Sequence, residues 1–413
     1  MLTLLVLPVL YYWSEVRSRL PVKEIAVVIL FLTVSLPSRA QSPVLSMQQA
    51  IDSAMAQHPL VKEAEAYVKQ ARTLRKTAFN PPPLDVLMES PTGSEMRPGL
   101  LQTFDFPAVY ISQSRNAKQQ IRVAQQEQTI TLAQLKKQVR EAWATWHYAA
   151  LYLRVTSEQD SLFQSLLSAA QLSEKLGAVS GLDLLNIKNE AAHYHFTLQT
   201  AQQEYDLALQ TLRKVCMLKG SYTPDTTTDM KIMPEQWAMP DVTTTPFHQL
   251  AAEQLKLSKQ QLALEKWRLA PGFTIGYLNQ GSSSTPFDMR LRYGIRVPLF
   301  IHSQLAGIRA ARLQTERSTY RMEATALQLQ TELETAKNNR LIAMNALLYF
   351  RQSALPQADA LRKASIVSYR AGEISRFQHV YNLNQTHRIR LEYLQAIKAY
   401  YTAYAQLHYL KGE

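Results

Sequence analysis

A short stretch of the sequence reads Phe106-Pro-Ala-Val-Tyr-Ile-Ser-Gln113, and a related stretch, Val297-Pro-Leu-Phe-Ile-His-Ser-Gln304, follows 191 positions later. In both copies a strand-like run precedes the proline and a long helical pattern follows it. Proline is well tolerated in the first turn of a helix, where its missing N–H has no partner to lose. Both stretches therefore predict the same junction, at which a strand ends and a long helix begins.

The duplication extends to the far ends of these helices. Leu176-Gly-Ala-Val-Ser180 corresponds to Ala371-Gly-Glu-Ile-Ser375, 195 positions later, and the same offset relates Tyr205, Ala208 and Leu212 to Tyr400, Ala403 and Leu407. A repeat of about 190 residues is far longer than the unit of a solenoid. We therefore expect two copies of one unit, at 41–220 and 247–413, joined by a Thr- and Pro-rich linker at 221–246.

Long helices dominate both copies. Helical patterns cover residues 46–79, 107–177 and 181–216 in the first copy, and 247–269, 298–371 and 375–411 in the second. Each copy is thus expected to be a rod with a β-hairpin at one end and a helical turn at the other, and Pro356 predicts a kink. Apolar positions in the longest helix of each copy are separated by steps of three and four, which is typical of a coiled-coil seam. In the first copy these positions are Leu132, Leu135, Val139, Ala142, Trp146, Ala149 and Leu153. In the second they are Leu329, Leu333, Ala336, Ala343, Leu347, Phe350 and Ala354, with Arg340 as a polar interruption.

The helical turn of each copy carries glycine and serine at the same spacing. Glycine takes the left-handed conformation that often ends a helix, and serine followed three residues later by an acid or glutamine is a capping box. Helix capping explains these residue types fully. The functional alternative is that the two tips form a docking surface or gate, with the candidate residues Gly177, Ser180, Gly181, Gly372 and Ser375, and with Asp183 and Gln378 at the box positions.

The β-hairpins are expected at 84–106 and 272–297. Eleven residues from 287 to 297 alternate strictly, which matches a tilted transmembrane strand with apolar side chains toward lipid, although a half-exposed strand of a soluble sheet has the same period. Four strands cannot close a barrel, and open edges are not tolerated in lipid, whereas three chains supply twelve strands. The side chains expected to face a wet lumen are Asp288, Arg290, Arg292 and Arg296.

Composition narrows the function. The 45 Lys and Arg residues against 33 Asp and Glu give a net charge of +12, which suits nucleic acid, an anionic membrane or anionic cargo. A twelve-residue apolar run at 25–36, preceded by basic residues and followed by Ser-Arg-Ala, predicts a signal peptide at 1–40, and export argues against nucleic acid. The single Cys216 excludes a disulfide framework, and we expect no enzyme, no cofactor and no metal site.

At this point the sequence resembles the TolC-like outer-membrane efflux proteins. The resemblance covers essentially residues 44–412 and rests on Ala50-Ile-Asp-Ser-Ala-Met-Ala-Gln-His-Pro59, the two proline junctions and the tip Tyr369-Arg-Ala-Gly-Glu-Ile-Ser375. The junction Gln102-Thr-Phe-Asp-Phe-Pro-Ala-Val-Tyr110 is most similar to the heavy-metal-efflux (CusC- and CzcC-like) branch.

The resemblance implies a mainly α fold: a homotrimer with a long coiled-coil periplasmic tunnel and a 12-stranded transmembrane β-barrel in the outer membrane of a Gram-negative bacterium. It also implies contact with outer-membrane lipid, docking to a periplasmic adaptor and an inner-membrane pump such as an RND transporter, and export of heavy-metal cations or drugs without catalysis. Some members narrow the tunnel with acids after the second tip, where this chain has Gln378 and Tyr381; Asp183 is the matching acid of the first tip. The alternatives are a periplasmic adaptor, which has a single helical hairpin, and a secreted structural coiled coil.

Overall fold

The computed structural model describes residues 44–90, 96–177, 180–220, 222–224, 240–279, 286–299 and 301–413. Contacts divide the chain into two units. One holds Met1–Val44 and Ser221–Thr223, of which residues 44, 222 and 223 are described; the other holds Leu45–Gly220 and Pro224–Glu413. The expected signal peptide at 1–40 and most of the expected linker at 221–246 lie outside the described residues. All the described helices and a four-stranded sheet belong to the second unit.

The helices and strands follow the duplicated order expected from the sequence. The described α-helices are α1 (Met47–Gln57), α2 (Pro59–Leu74), α3 (Pro107–Lys175), α4 (Gly181–Cys216), α5 (Pro246–Trp267), α6 (His302–Tyr349), α7 (Leu355–Arg370) and α8 (Arg376–Lys411). The described strands are β1 (Val44–Leu45), β2 (Asp85–Glu89), β3 (Arg97–Phe104), β4 (Thr223–Pro224), β5 (Gly272–Leu278) and β6 (Leu291–Arg296). With 69 residues, α3 is about 100 Å long.

The two proline junctions begin their helices differently. Pro107 opens α3, as predicted. The second long helix begins only at His302, with Ile301 as its N-cap, so the prediction that Pro298 opens it is wrong. A proline fixes its own φ but contributes no hydrogen bond, and it therefore permits the first turn of a helix without imposing it.

The expected helix at 46–79 is interrupted. It forms α1, α2 and a 3₁₀ turn at Arg75–Ala78, with a break at His58. His58 is extended (φ −67°, ψ 134°) because a residue before proline is pushed out of the α region, and its Nδ1 accepts a hydrogen bond from the Leu60 N–H at 3.2 Å. The prediction of one continuous helix is wrong at this position.

The irregularity expected at Pro356 takes the form of a π-helical turn. Phe350–Ala354 form that turn between α6 and α7, and Pro356 lies in the first turn of α7. Proline has no N–H to donate to the preceding turn and its ring crowds that turn. The hydrogen-bond ladder is therefore offset just before the proline, and the helix continues after it.

The two predicted seams form the cores of the long helices. In the first seam Trp146 and Val139 are fully buried and Leu132 and Leu153 are half-buried; in the second, every member is buried except the half-buried Phe350. The helix α3 packs against α1, α2 and α4 and also against α5 and α8, while α6 packs against α5 and α8. The coiled-coil prediction is confirmed, and α3 connects the two repeats.

The two hairpins join into one antiparallel sheet of order β2-β3-β5-β6. The predicted strand at 287–297 is shorter than expected, because Asp288–Arg290 form a 3₁₀ turn and β6 begins at Leu291. That turn is held by Arg290 Nη1, which donates to Asn279 Oδ1 at 2.7 Å, and by Phe287, which stacks on Tyr277. Within the described residues the single chain forms this open sheet, and a closed twelve-stranded barrel is not seen.

Candidate functional site

One face of the four-stranded sheet is apolar and exposed. The register places Val86, Leu100, Tyr277 and Leu291 in one row across the four strands, so side chains two residues away share their face. Phe104, Tyr277 and Leu291 of this face are half-buried, and its other large apolar side chains are between 38% and 76% exposed: Val86, Met88, Leu100, Phe273, Ile275, Tyr293 and Ile295. A contiguous exposed apolar surface of this kind marks contact with lipid or with another protein.

The opposite face carries glycine on three of the four strands. Gly99, Gly272, Gly276 and Gly294 all point to this side in the register. A Cβ on Gly276 would lie 2.6 Å from Leu101 Cδ1 and 2.9 Å from the Leu100 carbonyl oxygen, and one on Gly272 would lie 2.9 Å from the Phe104 oxygen. Side chains are therefore excluded where neighbouring strands approach most closely, which fits the crowded inner side of a strongly curved sheet.

The four predicted lumen residues divide into two groups. Arg292 and Arg296 lie on β6 and share the glycine face, opposite Tyr293 and Ile295, as the alternation predicts. Arg296 Nη2 donates to Asp105 Oδ1 at 2.9 Å, which connects β6 to the end of β3. Asp288 and Arg290 lie in the 3₁₀ turn, so their assignment to the strand is wrong.

The edges of the sheet are β2 and β6. Every neighbouring pair in the order β2-β3-β5-β6 is antiparallel, so the two edge strands run in opposite directions. A second copy placed with its β2 beside β6 continues the antiparallel pattern. The sheet can therefore be extended edge to edge by identical chains without a change in hydrogen-bonding geometry.

The first helical tip ends α3 and begins α4. Gly177 has a φ of 72°, in the left-handed region, as predicted. Ser180 Oγ accepts from the Asp183 N–H at 3.1 Å and donates to Asp183 Oδ2 at 2.8 Å, so the carboxylate binds the cap hydroxyl rather than the backbone N–H of a capping box. The predicted tip residues Ser180, Gly181 and Asp183 are exposed.

The second tip repeats this backbone geometry between α7 and α8. Gly372 has a φ of 76°, and Ser375 Oγ accepts from the Gln378 N–H at 3.2 Å. A Cβ placed on Gly177, Gly181 or Gly372 meets no atom of the described residues within 4 Å. The glycines therefore reverse the chain and leave open space beside it.

The two tips differ in what holds their helices together. At the second tip, buried Ser365 on α7 lies 2.9 Å from Nδ1 of buried His379 on α8, and the Tyr369 ring stacks on the His379 ring at 4.6 Å. Arg376 Nε donates to the Tyr369 hydroxyl at 2.9 Å, and burial lowers the pKa of His379. The positions 195 residues earlier in the first tip include Ala170, Leu184 and Ile187, which are apolar. The polar contact between Ser365 and His379 at the second tip therefore has no counterpart at the equivalent positions of the first tip, Ala170 and Leu184.

Apart from Tyr381, sequence reasoning missed the apolar side chains exposed around both tips. Around the first tip these are Leu172, Leu176, Leu182 and Leu185, and around the second they are Val367, Phe377 and Tyr381. Leu176 and Phe377 are 76% and 75% exposed. The sequence pattern could have indicated their exposure, because these apolar residues lie outside the heptad seam and within two turns of a helix end. Together with the open space beside the glycines, they make both tips candidate protein-docking surfaces.

Two further features concern membranes and metals. No helix in the described part of the chain has an apolar stretch long enough to cross a bilayer. Over the same residues, no three His, Cys, Asp or Glu side chains cluster in a way that could hold a metal ion. The buried Cys216 thiol has its pKa raised to about 12 by burial, so it is not a reactive thiolate at neutral pH.

Comparison with known proteins places the fold. No protein-family model and no curated protein sequence matches this chain. Among solved structures, that of CusC matches with a TM-score of 0.73 and 15% identity over 92% of this chain and 96% of that chain. The CmeC outer membrane channel of Campylobacter jejuni matches with a TM-score of 0.70 and 13% identity, over 89% of this chain and 85% of that chain. The outer membrane protein VceC of Vibrio cholerae matches with a TM-score of 0.70 and 14% identity, over 88% of this chain and 96% of that chain.

The chain therefore has the fold of outer-membrane channels. At the level of fold, the resemblance to TolC-like proteins is confirmed. These three structures are between 13% and 15% identical to this chain, so they do not distinguish the heavy-metal-efflux branch from the others.

Proposed function

We propose that this protein is the exit duct of a tripartite efflux system in the outer membrane of a Gram-negative bacterium. Three chains join their sheets into a barrel of twelve strands, and their long helices form a periplasmic tunnel. The tips dock to a periplasmic adaptor, which connects the duct to an inner-membrane pump such as an RND transporter. The cargo is a toxic small molecule or ion, and the duct itself performs no catalysis.

One observation carries this proposal: the sheet has an exposed apolar face, a glycine- and arginine-bearing face, and two antiparallel edges. A soluble protein rarely leaves so large an apolar face uncovered, and lipid tolerates sheets only when their edges are closed. Edge-to-edge joining of identical chains meets both conditions. It puts the apolar face toward lipid and Arg292 and Arg296 toward a wet lumen.

The tips are the proposed adaptor-facing end. Gly177, Ser180, Gly181, Gly372 and Ser375 leave room for a partner's helical hairpin, and the exposed apolar side chains beside them supply contact area. The proposed constriction is formed by Asp183, Gln378 and Tyr381, all of which are exposed at or near a tip. Because two of these three side chains are uncharged, we propose a constriction that depends on size more than on charge.

The test is Gly372→Val, measured in cells that lack the native gene. At a φ of 76° a β-branched side chain costs about 1–2 kcal/mol, which is too little to unfold helices of this length. We expect the assembled protein at nearly normal yield and a loss of resistance to the toxic compounds and metal cations against which the gene protects. Gly181→Val is the matched variant, because it adds the same side chain at the other tip without left-handed strain.

The outcomes separate docking from folding. Loss of resistance in both variants, with normal assembly and weakened cross-linking to the adaptor, supports docking at the tips. If both variants protect cells and still cross-link to the adaptor, the tips are ordinary helix caps and their assignment is wrong. If removing the gene changes resistance to no compound or metal, the efflux function itself is wrong.

A further inference from the structure

A small polar groove lies between α5 and α6, away from both the sheet and the tips. Its volume is 200 Å³, which is less than the 300–1,000 Å³ of pockets for drug-sized ligands. It therefore has room for a single charged group rather than for a whole large molecule.

The groove is lined by nitrogen-bearing side chains. Arg317 and Arg321 project from α6 one turn apart, with Gln314 on the same helix and Gln254 and Gln261 across from them on α5. None of these five side chains has a hydrogen bond or ion pair with another residue in the described ranges. Two guanidinium groups, which only donate hydrogen bonds, and three amides, which can both donate and accept, thus surround one space.

None of the side chains that line the groove is a carboxylate, and no acid among the described residues forms an ion pair with Arg317 or Arg321. Arg317 and Arg321 are exposed to solvent and lie four residues apart on α6, where like charges repel each other weakly, and an anion bound between them would relieve that repulsion. Of the nearest acids along α6, Glu316 accepts a hydrogen bond from the Tyr320 hydroxyl at 3.1 Å. The α5 side of the groove presents amides and Ser258, whose hydroxyl is bonded to the Leu255 carbonyl.

We propose that this groove binds an oxyanion, namely a phosphate, sulfate or carboxylate group. Guanidinium groups pair with such groups in bidentate geometry, and charge-assisted hydrogen bonds are the strong ones. The anionic group belongs either to a small soluble molecule or to a phospholipid headgroup. The site lies between two helices of the second repeat, α5 and α6, so it does not depend on the proposed duct function.

The experiment titrates inorganic phosphate into the full protein, purified in a neutral detergent at low ionic strength, by isothermal titration calorimetry. We expect binding that weakens as NaCl is added, because salt screens exposed charges. The double variant Arg317→Gln/Arg321→Gln should bind at least tenfold more weakly. Arg309→Gln/Arg312→Gln is the matched control: it removes two arginines from the same helix but lies outside the groove, and it should bind as the wild type does.

Two further arms complete the test. Gln254→Ala should weaken phosphate binding from the α5 side without a change in charge. Neither double variant should lower the midpoint of thermal unfolding, since each removes two like charges. Phosphatidylcholine vesicles with and without phosphatidylglycerol are then tested as competitors of phosphate. If only the vesicles that contain phosphatidylglycerol compete, the ligand is a lipid headgroup; if neither kind competes, the ligand is a soluble anion. If phosphate does not bind, or if both double variants lose binding equally, the groove is not an oxyanion site.

Discussion

Gly276 and Gly294 lie on the same face of the sheet but in different surroundings. A Cβ on Gly276 would lie within 3 Å of both a side chain and a backbone oxygen of β3, whereas one on Gly294 would make an ordinary 3.6 Å contact with Thr274 Cβ. We therefore expect Gly276→Ala to destabilise the sheet by about 1–3 kcal/mol. Gly294→Ala should be neutral or stabilising, because alanine loses less backbone entropy on folding than glycine does.

Thermal unfolding of the two variants in detergent measures this difference. A lower midpoint for Gly276→Ala alone supports the close approach of β3 and β5. Equal midpoints for both variants would show that the glycine face is not closely packed.

Single residues were predictable where local chemistry decides them. The left-handed φ values of Gly177 and Gly372 follow from the sequence alone, because a chain reversal after a long helix needs glycine. The contacts of His379 do not follow from the sequence, since Ser365 lies 14 positions away on the opposite arm of the helical hairpin. A helical period indicates which face is buried but does not specify which polar groups meet across it.

At the scale of elements, the two faces of β5 can be compared directly. Ile275 points to the apolar face and its neighbour Thr274 to the glycine face. Ile275→Arg should cost about 2–4 kcal/mol near the bilayer midplane, whereas Thr274→Arg should assemble because its side chain points to the proposed wet lumen. The measurement is the yield of assembled protein in the outer membrane, and equal yields would contradict the assignment of the faces.

A second element-scale prediction concerns the contact of α8 with α4. His387 on α8 is buried against the Tyr194 ring on α4, at 5.4 Å between ring centroids, and burial together with Arg390 lowers its pKa to about 4. The unfolded chain binds this proton with an ordinary pKa of about 6.5. Stability from neutral His387 is therefore present above pH 6.5 and is lost as the pH falls toward 4.

Replacing the histidine tests this pH dependence. His387→Gln should reduce the loss of thermal midpoint between pH 7.5 and pH 5, with a free-energy effect of up to about 2 kcal/mol, because this interval reaches only about 1.5 pH units below the unfolded pKa. Arg390 keeps its contacts with Glu158 and Asp359 in this variant. The exposed His193→Gln serves as control, and an acid-induced loss unchanged from the wild type in both variants would refute the role of His387.

The elements themselves were largely predictable, and the errors have physical causes. The seams of α3 and α6 followed from apolar spacing because a coiled-coil core repeats regularly. The continuous helix across His58 and the helix start at Pro298 were wrong because proline restricts the backbone locally without determining on which side a helix forms. The strand at 287–297 was too long because alternation also fits a turn whose side chains pack, as Phe287 does on Tyr277.

For the whole molecule, cysteine cross-linking tests whether neighbouring sheets join. In a Cys216→Ser background, cysteine at Val86 on β2 is paired with cysteine at Leu291, Tyr293 or Ile295 on β6, which share its face. We expect oxidation to produce covalently linked chains for at least one register. Cysteine at Leu87, on the opposite face, is the matched control and should link poorly; monomers from every pair would contradict edge-to-edge joining.

The most direct test of the account is the number of chains in the purified particle. Analytical ultracentrifugation of the full protein in a mild detergent, with the bound detergent subtracted, gives the protein mass of the particle. Because a four-stranded sheet with two open edges cannot close alone in lipid, the account predicts a stable particle of three chains. A stable monomer would contradict it.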